Sequence, residues 1–214
     1  MIPLHLFNFP DVSEALDEPN GLLCAGGDLS AQRLELAYSR GIFPWFSEGD
    51  PILWWSPDPR LILEPKAFKS KRSLNKSIRK QGFEIRMNQR FEDLIRLCAE
   101  NRRNQNGTWI TENMIQAYIR LNELGLILSC ETYKDNQLVG GLYGVKLGRV
   151  LFGESMVSLV TDASKAALAY LCQKSGAYQI ELIDCQVPTS HLKSLGATLI
   201  PRTEFIKRIH ELVL

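Results

Sequence analysis

Late in the chain the string YQIELIDCQ, residues 178–186, ends an apolar run on Asp184 and places Gln186 two positions further on. A carboxylate at the tip of a buried strand is desolvated on one side and open to a site on the other, which suits it to take a proton from an amine. A free α-amino group has a pKa of about 7.7 to 8.0, so an acceptor of this kind serves any reaction that uses the amine as nucleophile. If the strand stays extended, Gln186 projects to the same face and bridges amine to carboxylate, while Cys185 points the other way into packing. The plainer alternative for Asp184 is a cap on the turn that follows. Glu154, in FGESM, sits beside Gly153, where a missing side chain allows close approach of a ligand. It is suited to bind an amino group; otherwise it is an outward-facing strand carboxylate. A cysteine nucleophile at 185 needs a paired imidazole. Of His5, His191 and His210, only His191 is near in sequence, and it reads as a turn or surface residue.

Two further groups have the composition of a binding surface. GIFPWFSEGDPILWWSPDPR, residues 41–60, sets three of the four tryptophans, Trp45, Trp54 and Trp55, among glycines and prolines, which asks for fixed turns presenting aromatic faces. Burial in a core is the other reading of each. KAFKSKRSLNKSIRK, residues 66–80, carries seven cations and no acid: Lys66, Lys69, Lys71, Arg72, Lys76, Arg79 and Lys80. A run without acidic neighbours at i+4 is a candidate polyanion site, against the alternative of a solvated helical face.

These residues lie far apart in the chain, so regular elements must gather them. The expected division is a small N-terminal domain over residues 1–60 and a larger domain over 61–214, with a linker near 58–66. Ser30 caps a short helix over 30–40 with Leu34, Ala37 and Tyr38 on one face, closed by Gly41. A second helix runs over 89–101. Thr111 caps a third over 112–124, with Met114 or Ile115, Tyr118, Leu121 and Leu124 inward and Gly125 ending it. Strands at 126–133, 138–145 and 150–158 are separated by KDNQ and KLGR, turns of hairpin length, and form an antiparallel meander. A helix over 162–175, a buried strand at 178–185, a short helix at 190–195, a strand at 197–201 and a helix capped by Thr203 complete the chain. The fold class is α+β, with a mixed, largely antiparallel sheet flanked by helices.

Composition narrows the function classes. At 214 residues and 45% hydrophobic content, the chain can bury a core in one domain, or in one domain plus a small appendage. The first twenty residues lack a basic segment and no apolar run approaches about 18 residues, so neither a signal peptide nor a membrane span is expected, and the expected location is cytoplasmic. Five scattered cysteines fit reduced thiols better than a disulfide frame or a zinc site, and no structural metal is expected. The net charge of +1 hides an asymmetry, because residues 1–50 hold eight acids and two bases while residues 51–103 hold six acids and thirteen bases.

The string EPNGLLCAGGDLS, then RLELAYSRGIFPWF and GDPILWWSPDPR, resembles the N-terminal signature of the leucyl/phenylalanyl-tRNA–protein transferases. GTWIT at 107–111, ELGL at 123–126, LVGGLYGV at 138–145, FGESM at 152–156, LIDCQ at 182–186 and SLGA at 194–197 follow in the family's order across nearly the whole chain. The resemblance implies an enzyme that moves leucine or phenylalanine from leucyl-tRNA or phenylalanyl-tRNA to the N-terminal arginine or lysine of a protein, marking it for degradation. No cofactor and no membrane partner are expected, and the expected state is a monomer. The resemblance assigns the catalytic relay to Asp184 and Gln186 and places Glu154 at the substrate site. It gives the stacking of the terminal adenosine to Trp45 and Trp109, and encloses the donor side chain with Met156, Ile183, Leu142, Leu151 and Leu171. The basic residues of 66–80 then hold the acceptor stem by phosphate contact, and Trp54 and Trp55 are left to packing.

The element order also resembles the GNAT-type acyltransferase fold, which raises a competitor, an acetyl-CoA-dependent N-acetyltransferase. Such enzymes hold pyrophosphate on a glycine-rich helix N-terminus. The corresponding stretch here, VSLVTDASKAAL, has no glycine and carries Asp162, which argues against CoA as acyl carrier. A tRNA-binding protein without chemistry is the third reading, opposed by the presence of Asp184 and Gln186.

Overall fold

A computed structural model describes residues 2–3, 8–106 and 109–214; His5, and Gly107 and Thr108 of GTWIT, lie outside the described residues, as does the side chain of Arg103. The first part of the chain builds a four-stranded sheet from β1 (Ile2–Pro3), β2 (Leu22–Ala25), β3 (Phe43–Pro44) and β4 (Leu53–Trp55), in the order β1-β2-β4-β3. Helix α1 (Ala31–Ser39) begins as expected, the Ser30 side chain accepting from Arg33 N, and buries Leu34, Ala37 and Tyr38 along one face. Gly41 ends it at φ 73°, where an added Cβ would meet Ile206 Cδ1 at 2.5 Å, so this turn is both left-handed and closely packed.

The second sheet has seven strands. In chain order they and their helices are β5 (Arg60–Leu63), α2 (Arg72–Gln81), β6 (Glu84–Met87), α3 (Phe91–Asn106), α4 (Glu112–Glu123), β7 (Ile127–Lys134), β8 (Gln137–Leu147), β9 (Val150–Ser158), α5 (Ala163–Gln173), β10 (Leu182–Gln186), α6 (Ser190–Ser194), β11 (Thr198–Ile200) and α7 (Arg202–Val213). The strand order is β11-β5-β10-β9-β8-β7-β6. The meander β7-β8-β9 is antiparallel as its turn spacing predicts, and the crossover through α5 lays β10 parallel to β9, pairing Asp184 with Phe152. This meander, helix and parallel strand are the α+β, GNAT-like arrangement expected from the sequence.

Alternation along the strands sorts their side chains between two cores. Tyr143, Val145, Phe152 and Leu182 face a core shared with α1, α3, α4 and α7. Leu142, Leu151 and Ile183 face the other, packed by Leu74 of α2 and by Ala167, Leu168 and Leu171 of α5.

Four expectations need correction. The segment 58–66, expected as a linker, contains β5, a fully buried strand hydrogen-bonded between β10 and β11. The strand expected at 178–185 starts only at Leu182, residues 178–180 being turn and connection. Leu124, expected inward, is 63% exposed, because it lies past the last turn of α4 as its C-cap. The final helix starts at Arg202 after Pro201 and takes no cap from Thr203, since Pro at the boundary already fixes the entering φ.

Candidate active site

A cavity of about 370 Å³ opens where the small sheet meets the middle of β9 and the C-terminal part of β10. Phe43, Pro44 and Trp45 form one wall. All ten residues expected at the substrate and catalytic site line this cavity: Trp45, Trp109, Leu142, Leu151, Glu154, Met156, Leu171, Ile183, Asp184 and Gln186. The seven cations of 66–80 do not.

Two β-bulges aim the polar residues. Between β8 and β9, Tyr143 pairs with Ser155 and Gly144 with Gly153, so Glu154 is the extra residue of a bulge. Bulges re-aim side chains and recur beside active sites. Here the bulge turns the Glu154 carboxyl into the first core, where it is 6% exposed and accepts from Tyr38 Oη at 2.7 Å, Tyr118 Oη at 2.8 Å and Gln186 Nε2 at 2.9 Å. Burial pushes this carboxyl up to about 7, against the lowering effect of those three hydrogen bonds, with the nearby charge of Asp184 adding to the rise. The close approach at Gly153 is made by the Asp184 carbonyl of the neighbouring strand, 3.1 Å from where a Cβ would stand, so this glycine is explained without a ligand.

The second bulge lies between Asp184 and Gln186, and Gln186 has φ 61°. The extended geometry expected for this step is therefore absent. Cys185 packs against the second core as expected but also lines the cavity, and burial raises its thiol well above the usual range. Gln186 reaches back to Glu154 through its amide, and its backbone N donates to Asp184 Oδ1 at 2.9 Å. Asp184 itself is wholly buried rather than open on one side. Arg60 Nε donates to Oδ1 at 2.8 Å and Arg60 Nη2 to Oδ2 at 2.6 Å, a bidentate pair with no exposure on either partner. The rings of Phe43 and Phe205 lie 4.8 and 4.5 Å from the guanidinium carbon. Asp184 thus fixes the bulge that carries Gln186.

The tryptophans divide by environment. Trp54 has no exposure and donates from Nε1 to Gly26 O. Trp45 is 44% exposed at the cavity mouth, with Trp55 5.7 Å away and donating to its carbonyl at 2.7 Å. Trp55 therefore braces Trp45. On the apolar side, Leu142, Leu151, Leu168, Leu171, Met156 and Ile183 bound the cavity.

Sequence reasoning missed several participants. Tyr38 and Tyr118 were legible only as core positions of helices, because their hydroxyl partner comes from a distant strand. Arg60 sits where a linker was expected. Arg102, whose Nε donates to Ser155 Oγ at 3.2 Å beside Trp109, and His191, on α6, both line the cavity. Burial and the charge of Lys165 lower the pKa of His191. It is an exposed residue of the short helix expected at 190–195, in keeping with the surface reading, and stands at the cavity rim.

The basic run folds largely as α2, which anchors through Leu74 and the half-buried Ile78 and leaves its cations in solvent. None of the seven takes part in an ion pair among the described residues. The run is tied to the end of α6 by Lys69 N donating to Leu195 O at 2.8 Å.

Residues 62–210 match the leucyl/phenylalanyl-tRNA protein transferase family, and residues 27–58 match the N-terminal domain of the same transferases. The leucyl/phenylalanyl-tRNA–protein transferase of Nitrosospira multiformis is 57% identical over 205 residues, covering 96% of this chain and 88% of its own length. Those of Nitrosomonas europaea and Chromobacterium violaceum are each 52% identical, over 95% of this chain and 86% and 87% of theirs. Among solved structures, an aminoglycoside acetyltransferase from an uncultured soil metagenomic sample aligns at a TM-score of 0.41 with 14% identity, over 62% of this chain and 89% of its own. With a family match over residues 62–210 and relatives more than one half identical over 95% or more of its length, the chain belongs to the leucyl/phenylalanyl-tRNA–protein transferase family.

Proposed function

We propose that the cavity is where leucine or phenylalanine leaves the ester of its tRNA for the N-terminal amine of an acceptor protein beginning with arginine or lysine, marking that protein for degradation. As a member of its family the chain is an aminoacyltransferase, taking an aminoacyl-tRNA as donor and a protein as acceptor. The observation that carries the site assignment is the shared cavity: Trp45 and Trp109, expected to clasp the terminal adenosine, open onto the same space as Glu154, Asp184 and Gln186. An aminoacyl ester is already activated, so the enzyme's task is to position it, free the attacking amine and stabilise charge on the carbonyl oxygen.

In this reading Trp45 and Trp109 stack the base, worth about 1–3 kcal/mol per base. Leu142, Leu151, Met156, Leu171 and Ile183 enclose the donor side chain. Asp184, locked by Arg60, holds the backbone of Gln186, whose amide nitrogen is committed to Glu154 and whose amide oxygen is left to accept from an amine. Lys66, Lys69, Lys71, Arg72, Lys76, Arg79 and Lys80 hold acceptor-stem phosphates without reading sequence. Residues 1–60 and 61–214 act as two units meeting at the cavity, a division supported by the four-stranded sheet lying within the first and the seven-stranded sheet, apart from Arg60, within the second. The protein works as a monomer in the cytoplasm, where charged tRNA is made.

The acetyl-CoA reading is disfavoured at the start of α5. The Asp162 carboxylate stands there paired with Lys165 at 2.6 Å, and Ser158 Oγ accepts from Ser164 N at 2.8 Å, so the helix N-terminus is occupied by the chain's own groups. The deciding experiment supplies labelled leucyl-tRNA or labelled acetyl-CoA with a peptide beginning with arginine. Label entering the peptide from tRNA alone is expected. Transfer from acetyl-CoA, or tRNA binding with no transfer, overturns the reading.

A further inference from the structure

Glu154 is surrounded by hydroxyls rather than by cations. Tyr38 Oη lies 2.7 Å from its Oε1, Tyr118 Oη lies 2.8 Å from its Oε2, and the two tyrosine oxygens lie 2.5 Å from each other. These O···O approaches join the three side chains in a ring, and each approach needs one proton. The two phenols supply two. With Glu154 ionised, one approach is left as two lone pairs facing each other. With Glu154 protonated, every approach is filled: Oε2–H donates to Tyr118, Tyr118 O–H to Tyr38, and Tyr38 O–H to Oε1, which also accepts from Gln186 Nε2 at 2.9 Å. The cluster is one proton short of a closed ring whenever the carboxylate is ionised.

Asp184 differs in this respect. Both of its oxygens accept from the Arg60 guanidinium, Oδ1 also accepts from Gln186 N, and neither partner has any exposure, so its charge is already met by a buried cation that no incoming amine needs to replace. We propose that Glu154 is the proton acceptor for the attacking amine, and that Tyr38 and Tyr118 are positioning residues whose hydrogen-bond ring is closed by the proton it takes. This rests on the transferase reading of the cavity. The titratable and charged groups around Glu154 are Tyr38 of α1, Tyr118 of α4, Tyr143 of β8, Asp184 of β10 with Arg60 of β5 behind it, and Arg102 of α3 and His191 of α6 across the cavity. Burial, the largest influence, brings the carboxyl to about 7, close to where a general base is most effective.

The step balances. An N-terminal ammonium entering the cavity gives one proton to ionised Glu154, and the freed nitrogen lone pair attacks the ester carbonyl carbon. The C–N bond forms, the C–O bond to the ribose breaks, and its electron pair stays on the ribose oxygen. A second proton passes from the attacking nitrogen to that oxygen, leaving an amide and a tRNA hydroxyl. Glu154 then returns its proton to water.

Two readouts on the full chain test this. The ¹³C carboxyl resonance of Glu154, assigned by comparison with Glu154→Gln, gives the titration midpoint, and kcat/KM for leucine transfer from tRNA to an arginine-initiated peptide is followed against pH. The resonance is expected to titrate near 7, with the acid limb of kcat/KM at the same midpoint. The acceptor amine ionises higher, at about 7.7–8.0, and contributes equally in every variant. Glu154→Gln should lower kcat/KM by about 10²–10⁴ and abolish the limb, while still binding an adenosine that carries leucine through a stable amide. Tyr38→Phe and Tyr118→Phe should each displace the resonance midpoint and the limb together. A limb that stays fixed while the resonance moves, a resonance indifferent to both hydroxyls, or a limb that survives Glu154→Gln overturns the acceptor role in a chain that still transfers leucine. No transfer by the unaltered chain overturns the transferase reading and the acceptor role with it.

Discussion

Midway along β9 and β10 the carboxyl oxygens of Glu154 and Asp184 are buried and each has a partner, whereas on α2 Lys76, Arg79 and Lys80 stand in solvent with no ionic partner among the described residues. The two regions use charge in opposite ways. In the cavity wall a single group decides an outcome, because removing one partner strands the other in a medium that cannot solvate it. On α2 each charge is screened and replaceable, and only their sum matters to a polyanion. Chemistry fits the first arrangement and phosphate attraction fits the second.

The comparison breaks first at the pair where burial is complete. Asp184→Ala leaves Arg60 buried and uncompensated, and should lower the free energy of unfolding in urea by about 3–5 kcal/mol. Replacing both partners together, Arg60→Met with Asp184→Leu, should recover much of that stability without restoring transfer. A loss below about 1 kcal/mol for Asp184→Ala would show that the pair is hydrated and that the contrast with α2 is overstated.

Glu154 sharpens the same contrast through pH. Its carboxyl titrates higher in the folded chain, at about 7, than its ordinary value of 4.5, so its stabilising contribution is full below about 4.5 and is lost as pH rises through 7. Glu154→Gln should therefore flatten the decline in Tm between pH 5 and pH 8, leaving the variant several degrees more stable at the upper end. A decline of unchanged slope would mean that the carboxyl is solvated.

Trp45 stands between the two regions, half in solvent but braced by Trp55. Trp45→Ala should weaken binding of an aminoacyl-adenosine analogue by about 1–3 kcal/mol with little effect on folding, whereas Trp54→Ala should cost about 3–5 kcal/mol of stability as a core truncation. Similar effects from both would remove the distinction between a stacking and a packing tryptophan. The smallest effects are expected on α2. Lys76→Ala, Arg79→Ala and Lys80→Ala should each weaken donor tRNA binding by a few-fold, equally for every tRNA body. The salt dependence should fall by about 0.7–0.9 in log–log slope for each phosphate that is no longer neutralised. An unchanged slope in the triple variant would place the tRNA elsewhere.

Local physics was legible where one stretch of chain carried all of it. Ser30 and Thr111 announced their helices because a capping oxygen needs only amides two or three residues away. KDNQ and KLGR announced the hairpins because a short polar turn joins the strands directly. β5 was not legible. RLIL is too short to read as anything but a connection, and it becomes a strand because β10 and β11 lie on either side of it. The bulges at Glu154 and Cys185 left no mark in composition either, since a bulge is a mismatch of register between two strands and no property of one.

The sequence by itself therefore determined the element order, the apolar faces, the exposed basic helix and, through its matched strings, the family and the ten residues that meet at the cavity. Tertiary structure alone decided how those residues divide the work. Arg60 is 124 positions from Asp184, and Tyr38 is 116 from Glu154. Partners so far apart cannot be inferred from spacing, and the pairing, burial and protonation of a carboxyl are set by whichever groups the fold brings to its oxygens.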